Sequence, residues 1–133
     1  MNSGQTVFDT GNVGQSSLRD QATGEASTST LSCLHACQQC HDTCRAAAFG
    51  ISPAAAQELA ADEVRLLLEC AELCQLSANW QLAGSRNSSQ ICAVCAKVCR
   101  QCEERCAGIE GMQECAAVCQ RCAESCESMG AMA

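Results

Sequence analysis

Aromatic side chains are almost missing from this 133-residue chain: it has no tyrosine, and Trp80, Phe8 and Phe49 are the whole set. Bulky aliphatic core residues are also few, so a conventional hydrophobic interior is ruled out and something smaller must fill the space. Basic residues are outnumbered, 8 against 15 acidic, and the formal net charge of −7 argues against nucleic acid or an anionic membrane as a partner. No stretch approaches the length and apolarity of a transmembrane helix. The N-terminus carries neither the apolar run of a secretory signal nor a twin arginine, so the expected location is the cytoplasm. Catalytic signatures are missing as well. There is no Gly-rich phosphate loop, no Ser-His-Asp set and no histidine placed to activate a cysteine nucleophile, so the chain does not read as an enzyme.

What the chain has instead is cysteine, 15 of them, at one recurring spacing of three then four residues. The blocks are Cys33, Cys37, Cys40 and Cys44; Cys92, Cys95, Cys99, Cys102 and Cys106; Cys115, Cys119, Cys122 and Cys126; and a short pair, Cys70 and Cys74. At about 100° per residue, steps of three and four keep successive residues on one face of an α-helix. Each block therefore predicts a helix with a stripe of sulfur along one side. A reduced cysteine behaves as a small hydrophobe and buries readily, so four stripes can together supply the missing core.

The expected fold is all-α: an antiparallel four-helix bundle with a cysteine-lined core, formed by residues 30–133. Residues 1–29 are rich in Ser, Thr, Gly, Gln and Asn and read as a flexible N-terminal arm, with a short helical turn near Ser16 to Ala22. The first helix is expected from a cap at Ser29 or Thr30 to about Phe49, stopped by Gly50. Ser52-Pro53 reads as the cap and first position of a second helix running to about Leu82, ended by Gly84. Asn87-Ser88-Ser89 caps a third, which Gly108 stops after Ala107. The fourth spans about Glu110 to Ser128 and leaves a loose Met-Gly-Ala-Met-Ala tail. In an up-down arrangement Cys44, Cys106, Met112 and Cys115 share one end, and Cys33, Cys74, Cys92, Cys126 and Met129 share the other.

Cytosolic cysteines at this density read as metal ligands before disulfides. Their odd number prevents complete pairing. Residues three or four apart on a helix are also about 5–6 Å apart at Cβ, against about 3.8 Å in a disulfide. Soft thiolates select Cu(I), Zn(II) or iron–sulfur clusters. Iron–sulfur ligation favours Cys-x2-Cys-x2-Cys turns, and none is present. Cu(I) accepts two sulfurs, and each sulfur can bridge to the next ion. One ion per cysteine, about fifteen in all, then exchanges one positive charge for one thiol proton and leaves the core neutral. Four-thiolate zinc sites would each bury a charge of −2. Copper fits best.

With its Cys-x3-Cys-x2-Cys-x3-Cys blocks at 33–44 and 115–126 and the extended block 92–106, the chain resembles the bacterial copper storage proteins, cysteine-lined four-helix bundles. The resemblance covers about residues 30–128. It implies a cytosolic store of many Cu(I) ions held by all fifteen cysteines, in a bundle that assembles as a homotetramer. Helix two departs from the pattern, with Glu63 one heptad before Cys70 and Ser77 one heptad after it. Glu63, His41, Met112 and Met129 are possible accessory ligands: His41 flanks the first stripe, and the two methionines extend the fourth at either end. His35 faces away. Val64, Leu68 and Val94 lie off the seam and suggest contact between subunits. No residue pattern names a copper chaperone or a cuproenzyme as partner. A zinc or mixed-metal buffer of metallothionein type is the alternative function. A redox protein cycling interhelical disulfides, or an iron–sulfur carrier, is a third.

Overall fold

In the computed structural model, residues 24–50 and 59–131 are described, with side chains from Thr28 onward. Four helices follow one another: α1 Gly24–Ala48, α2 Ala61–Leu82, α3 Ser88–Ala107 and α4 Gln113–Gly130. The bundle unit, Ser32–Ala133, contains every cysteine. Among the described residues no helix is long and apolar enough to cross a membrane.

Side-chain contacts between the helices give the topology. Cys33 meets Cys126 and Cys44 meets Cys115, so α1 and α4 are antiparallel. Gln81 meets Cys33 and Cys70 meets Cys40, which sets α2 antiparallel to α1. Ser77 with Cys92, and Cys70 with Cys99, turn α3 against α2. Cys106 with Cys115 returns α4 along α3. This is the up-down-up-down bundle that short connections favour. On its outside Arg100 forks onto Glu127 at 2.9 and 3.0 Å and also reaches Glu103, joining α3 to α4 at the surface.

The helix ends depart from expectation at four places, each with a local cause. α1 starts at Gly24, so residues 24–29, expected in the arm, are helical. Once Cys33–Cys44 anchor a helix, each further residue adds one backbone hydrogen bond, and the modest penalty of Ser and Thr does not stop propagation. α2 does not run continuously from Pro53: Ala60 is extended, with φ −70° and ψ 155°, and the helix begins after it. Glu63 Oε1 accepts the Ala60 N–H at 2.8 Å, half of a capping box, and Asp62 adds a second negative charge to the first turn. α4 begins after Gly111, whose φ of 90° is left-handed, and not at Glu110. It also includes Met129 and Gly130, expected as loose tail, because this end packs closely on α3. A Cβ on Gly130 would lie 3.3 Å from Ala93 Cα. The expected turn at Ser16–Ala22 and the cap at Ser52-Pro53 lie outside the described residues.

The α2–α3 connection is closed by Gly84 at φ 69°. Ser85 N–H donates to the Trp80 carbonyl and Gly84 N–H to that of Gln81, the paired bonds of a Schellman motif. An added Cβ on Gly84 would meet nothing within 4 Å, so a substitution there tests backbone strain alone. Gly84→Ala is expected to destabilise the bundle by about 1 kcal/mol, read as a lower midpoint in denaturant with unchanged slope.

Candidate metal centre

All fifteen cysteines are buried free thiols, none more than a few per cent exposed. The helical period puts them on the inward faces, and the lack of bulky neighbours lets those faces approach. The result is a column of sulfur along the bundle axis. Contacts of 3.6–4.0 Å link Cys33, Cys37, Cys126, Cys122, Cys74, Cys95 and Cys99. The network continues through Cys70, Cys40, Cys44, Cys119, Cys115, Cys106 and Cys102. Cys92 joins through Ser77 Oγ, 3.3 Å from its sulfur and 3.7 Å from that of Cys37. Several sets of four sulfurs, such as Cys37, Cys95, Cys122 and Cys126, or Cys44, Cys102, Cys115 and Cys119, lie within 4.8 Å of one another.

Packing this tight couples the thiols. Cys44 is held above the usual thiol range, by its contacts with Cys102 and Cys115 first and by burial in addition. Cys74 is raised in the same way, through Cys122 and Cys37. Cys92 moves the other way, to about 4, because Cys126 and then Cys33 stabilise its thiolate, and Ser77 adds to them against the opposing effect of burial. Thiols held neutral by an apolar site do not act as nucleophiles.

Ser77 and Gln81 are the buried polar side chains among the described residues, and both belong to the column. Gln81 Nε2 lies 3.0 Å from Ser77 Oγ, 3.4 Å from Cys92 Sγ and 3.5 Å from Cys33 Sγ. Its carbonyl Oε1 is buried with no partner. Gln81 is a site residue that the cysteine pattern does not name. The signal that could have found it is its spacing: it stands seven residues after Cys74 and four after Ser77, on the same stripe. These two residues occupy the end where Cys74 was expected. Cys74 itself lies one layer inward, against Cys95, Cys99 and Cys122.

The accessory candidates are placed differently. His41 sends Nδ1 to the Ala71 carbonyl at 2.7 Å, so that nitrogen carries the hydrogen and the ring ties α1 to α2. Glu63 is not brought to the sulfurs: its carboxylate caps Ala60 and reaches Arg105 at 3.8 Å. Met112 is buried immediately before α4, and Met129 packs half-buried against the core in its last turn.

Comparison with known proteins agrees with this architecture. The sequence profile of the copper storage protein family matches residues 19–131. The chain belongs to that family. Among curated proteins, the uncharacterized cysteine-rich protein YhjQ of Bacillus subtilis is 32% identical over 74 residues, 56% of this chain and 68% of YhjQ. The Nmul_A1745 protein of Nitrosospira multiformis is a solved structure of the same shape, with TM-score 0.76 and 38% identity over 80% of this chain and 99% of its own. Copper-free copper storage protein 3 from Bacillus subtilis matches with TM-score 0.67 and 30% identity, covering 76% of this chain and 98% of its own. The Cu(I)-bound form of BsCsp3 matches with TM-score 0.68 and 29% identity over 77% of this chain and 98% of its own.

Burial this complete predicts slow thiol chemistry in the native protein. A bulky thiol reagent should modify the reduced, folded bundle at least ~100-fold more slowly than the chain in denaturant, where all the thiols should react together. Rapid modification of many thiols in the native state would contradict the closed column.

Proposed function

We propose that this protein stores Cu(I) in the cytoplasm, holding about one ion per cysteine as a copper–thiolate column inside the bundle. All fifteen cysteines act as ligands: Cys33, Cys37, Cys40, Cys44, Cys70, Cys74, Cys92, Cys95, Cys99, Cys102, Cys106, Cys115, Cys119, Cys122 and Cys126. The reading rests above all on the continuity of the sulfur network. Discrete sites need gaps between them, whereas bridging ions need a sulfur always within reach of the next. Two sulfurs on opposite sides of one ion stand about 4.6 Å apart for a metal–sulfur bond of ~2.3 Å. Contacts of 3.6–4.0 Å reach that spacing with side-chain shifts of a few tenths of an ångström on either side.

The same distances favour a second reading. A tetrahedral four-thiolate site with ~2.3 Å bonds has sulfurs about 3.8 Å apart, close to the spacing in the quartets above. Zinc there would leave a charge of −2 at each site. Away from Ser77 and Gln81 no N–H or O–H donor among the described side chains bonds to these sulfurs. Unscreened buried charge of that size is costly, whereas one Cu(I) per displaced proton adds none.

The protein carries out no catalysis. Val94, 47% exposed, and Leu76, with half-buried Val64 and Leu68, offer apolar faces through which bundles assemble as a homotetramer.

An anaerobic titration of the fully reduced protein against a chromogenic Cu(I) chelator tests the reading. The expected break lies near one copper per cysteine, with about one proton released per ion, because the thiols must deprotonate to bind. Acidification should therefore loosen copper, through competition by protons for thiols such as Cys44 and Cys74 that are held above their usual range. A break at a few equivalents, with three or four zinc ions held in preference, would replace copper storage by zinc buffering.

A further inference from the structure

The column has two ends, and they are closed by different chemistry. At one end Ala47, Leu67 and Met112 continue the stripes beyond Cys44, Cys70 and Cys115, each no more than 3% exposed, and Ile109 packs against the core there. Opening this end returns apolar surface to water, about 1.5–3 kcal/mol for a leucine or methionine side chain. A groove on the outer surface of α2 and α3 touches Leu66 and Ile109 nearby, but neither Leu67, Met112 nor any cysteine lines it.

The other end is closed by Gln81. Its amide nitrogen sits on the terminal sulfurs Cys33 and Cys92 and on Ser77, while its carbonyl oxygen is buried without a donor, in a residue only 9% exposed. A buried amide oxygen without a hydrogen bond opposes the closed position, and swinging outward hydrates it at once. Opening breaks the bond to Ser77 and two weaker ones to sulfur. Closure here is therefore close to balanced, and the side chain that moves is the one that covers the two terminal sulfurs.

We propose that Cu(I) passes between solvent and the column at this end, with Gln81 as the positioning residue that sets the rate. The inference builds on the storage reading above. Transfer is a ligand exchange with no change of oxidation state. A bond from Cu(I) to a thiolate of the incoming carrier breaks as one to Cys33 forms, and the displaced Cys33 proton leaves on the carrier sulfur. The ion then moves inward from sulfur to sulfur along the contacts through Cys126 and Cys37.

The test separates rate from capacity, using the full-length protein loaded with Cu(I) without oxygen and a chromogenic chelator in excess to withdraw it. Gln81→Ala removes the cover, and withdrawal is expected to accelerate by about tenfold. Gln81→Leu keeps the bulk but has no orphaned oxygen to hydrate, so withdrawal should slow. Ile109→Ala, at the opposite end, should match the original protein. Titration end points should stay within about two ions of one another in all of these, since no thiol is removed. Opposite signs for Gln81→Ala and Gln81→Leu are the discriminating result, because mere loosening of the bundle would shift both rates one way. Rates unchanged in both Gln81 variants, or changed in the same direction, would overturn the proposal. So would acceleration in Ile109→Ala without it in Gln81→Ala. A low end point in the unaltered protein would instead remove the storage reading itself.

Discussion

Sulfur packed on sulfur is the interaction the rest of the molecule depends on. A thiol is small, so helices whose inward positions are cysteine can approach closely, and it is apolar enough to serve as core while protonated. The same group turns into a soft anionic ligand when a proton leaves. On the storage proposal core and binding site are one set of atoms, and the three-then-four spacing that makes an amphipathic helix also makes the ligand array. This accounts for the near absence of aromatic residues: a single large ring in the seam would separate the sulfurs on either side of it.

The scaffold carries its order in the backbone. Helix hydrogen bonds, the Schellman closure at Gly84 and the turn at Gly111 are all satisfied without an ion. The storage proposal therefore expects the reduced chain to fold before metal is bound, unlike small metal-nucleated domains. On that proposal affinity can go into holding the cargo, and release need not unravel the protein. Surface ion pairs such as Arg100 with Glu127 stand apart from the interior, exposed and screened.

The period of the cysteines carried the number of helices and the burial of all fifteen thiols, because a stripe at 3.6-residue spacing has few other ways to be satisfied, and the short connections carried the alternation of direction. Helix ends were less legible. The start of α1 is set by propagation from an anchored segment, and the start of α2 by a glutamate reaching back to an alanine that has no capping group of its own. Glu63 shows the limit of stripe reasoning: a residue at the end of a helix can sit in register and still turn its carboxylate to the helix terminus. Gln81 shows the converse. Glutamine on a helix usually reads as solvated, so its place on the stripe passes unnoticed until the contacts with Cys33, Cys92 and Ser77 put it in the seam. His41 likewise became informative only through its carbonyl partner on α2.

Closeness of sulfur also carries a hazard that burial answers. Cys37 and Cys126 lie 3.6 Å apart across two helices, against about 2.05 Å in a disulfide, a gap that modest helix movement could close. Oxidation still requires an oxidant to arrive and electrons to leave, and a column with no exposed sulfur restricts both. An opening wide enough to admit a metal carrier freely would expose the thiols to oxidants at the same place. The gate proposed at Gln81 uncovers only the two terminal sulfurs, Cys33 and Cys92, and leaves the rest of the column shut. For a store of reduced thiols, the chemistry of its ends therefore matters as much as the chemistry of its core.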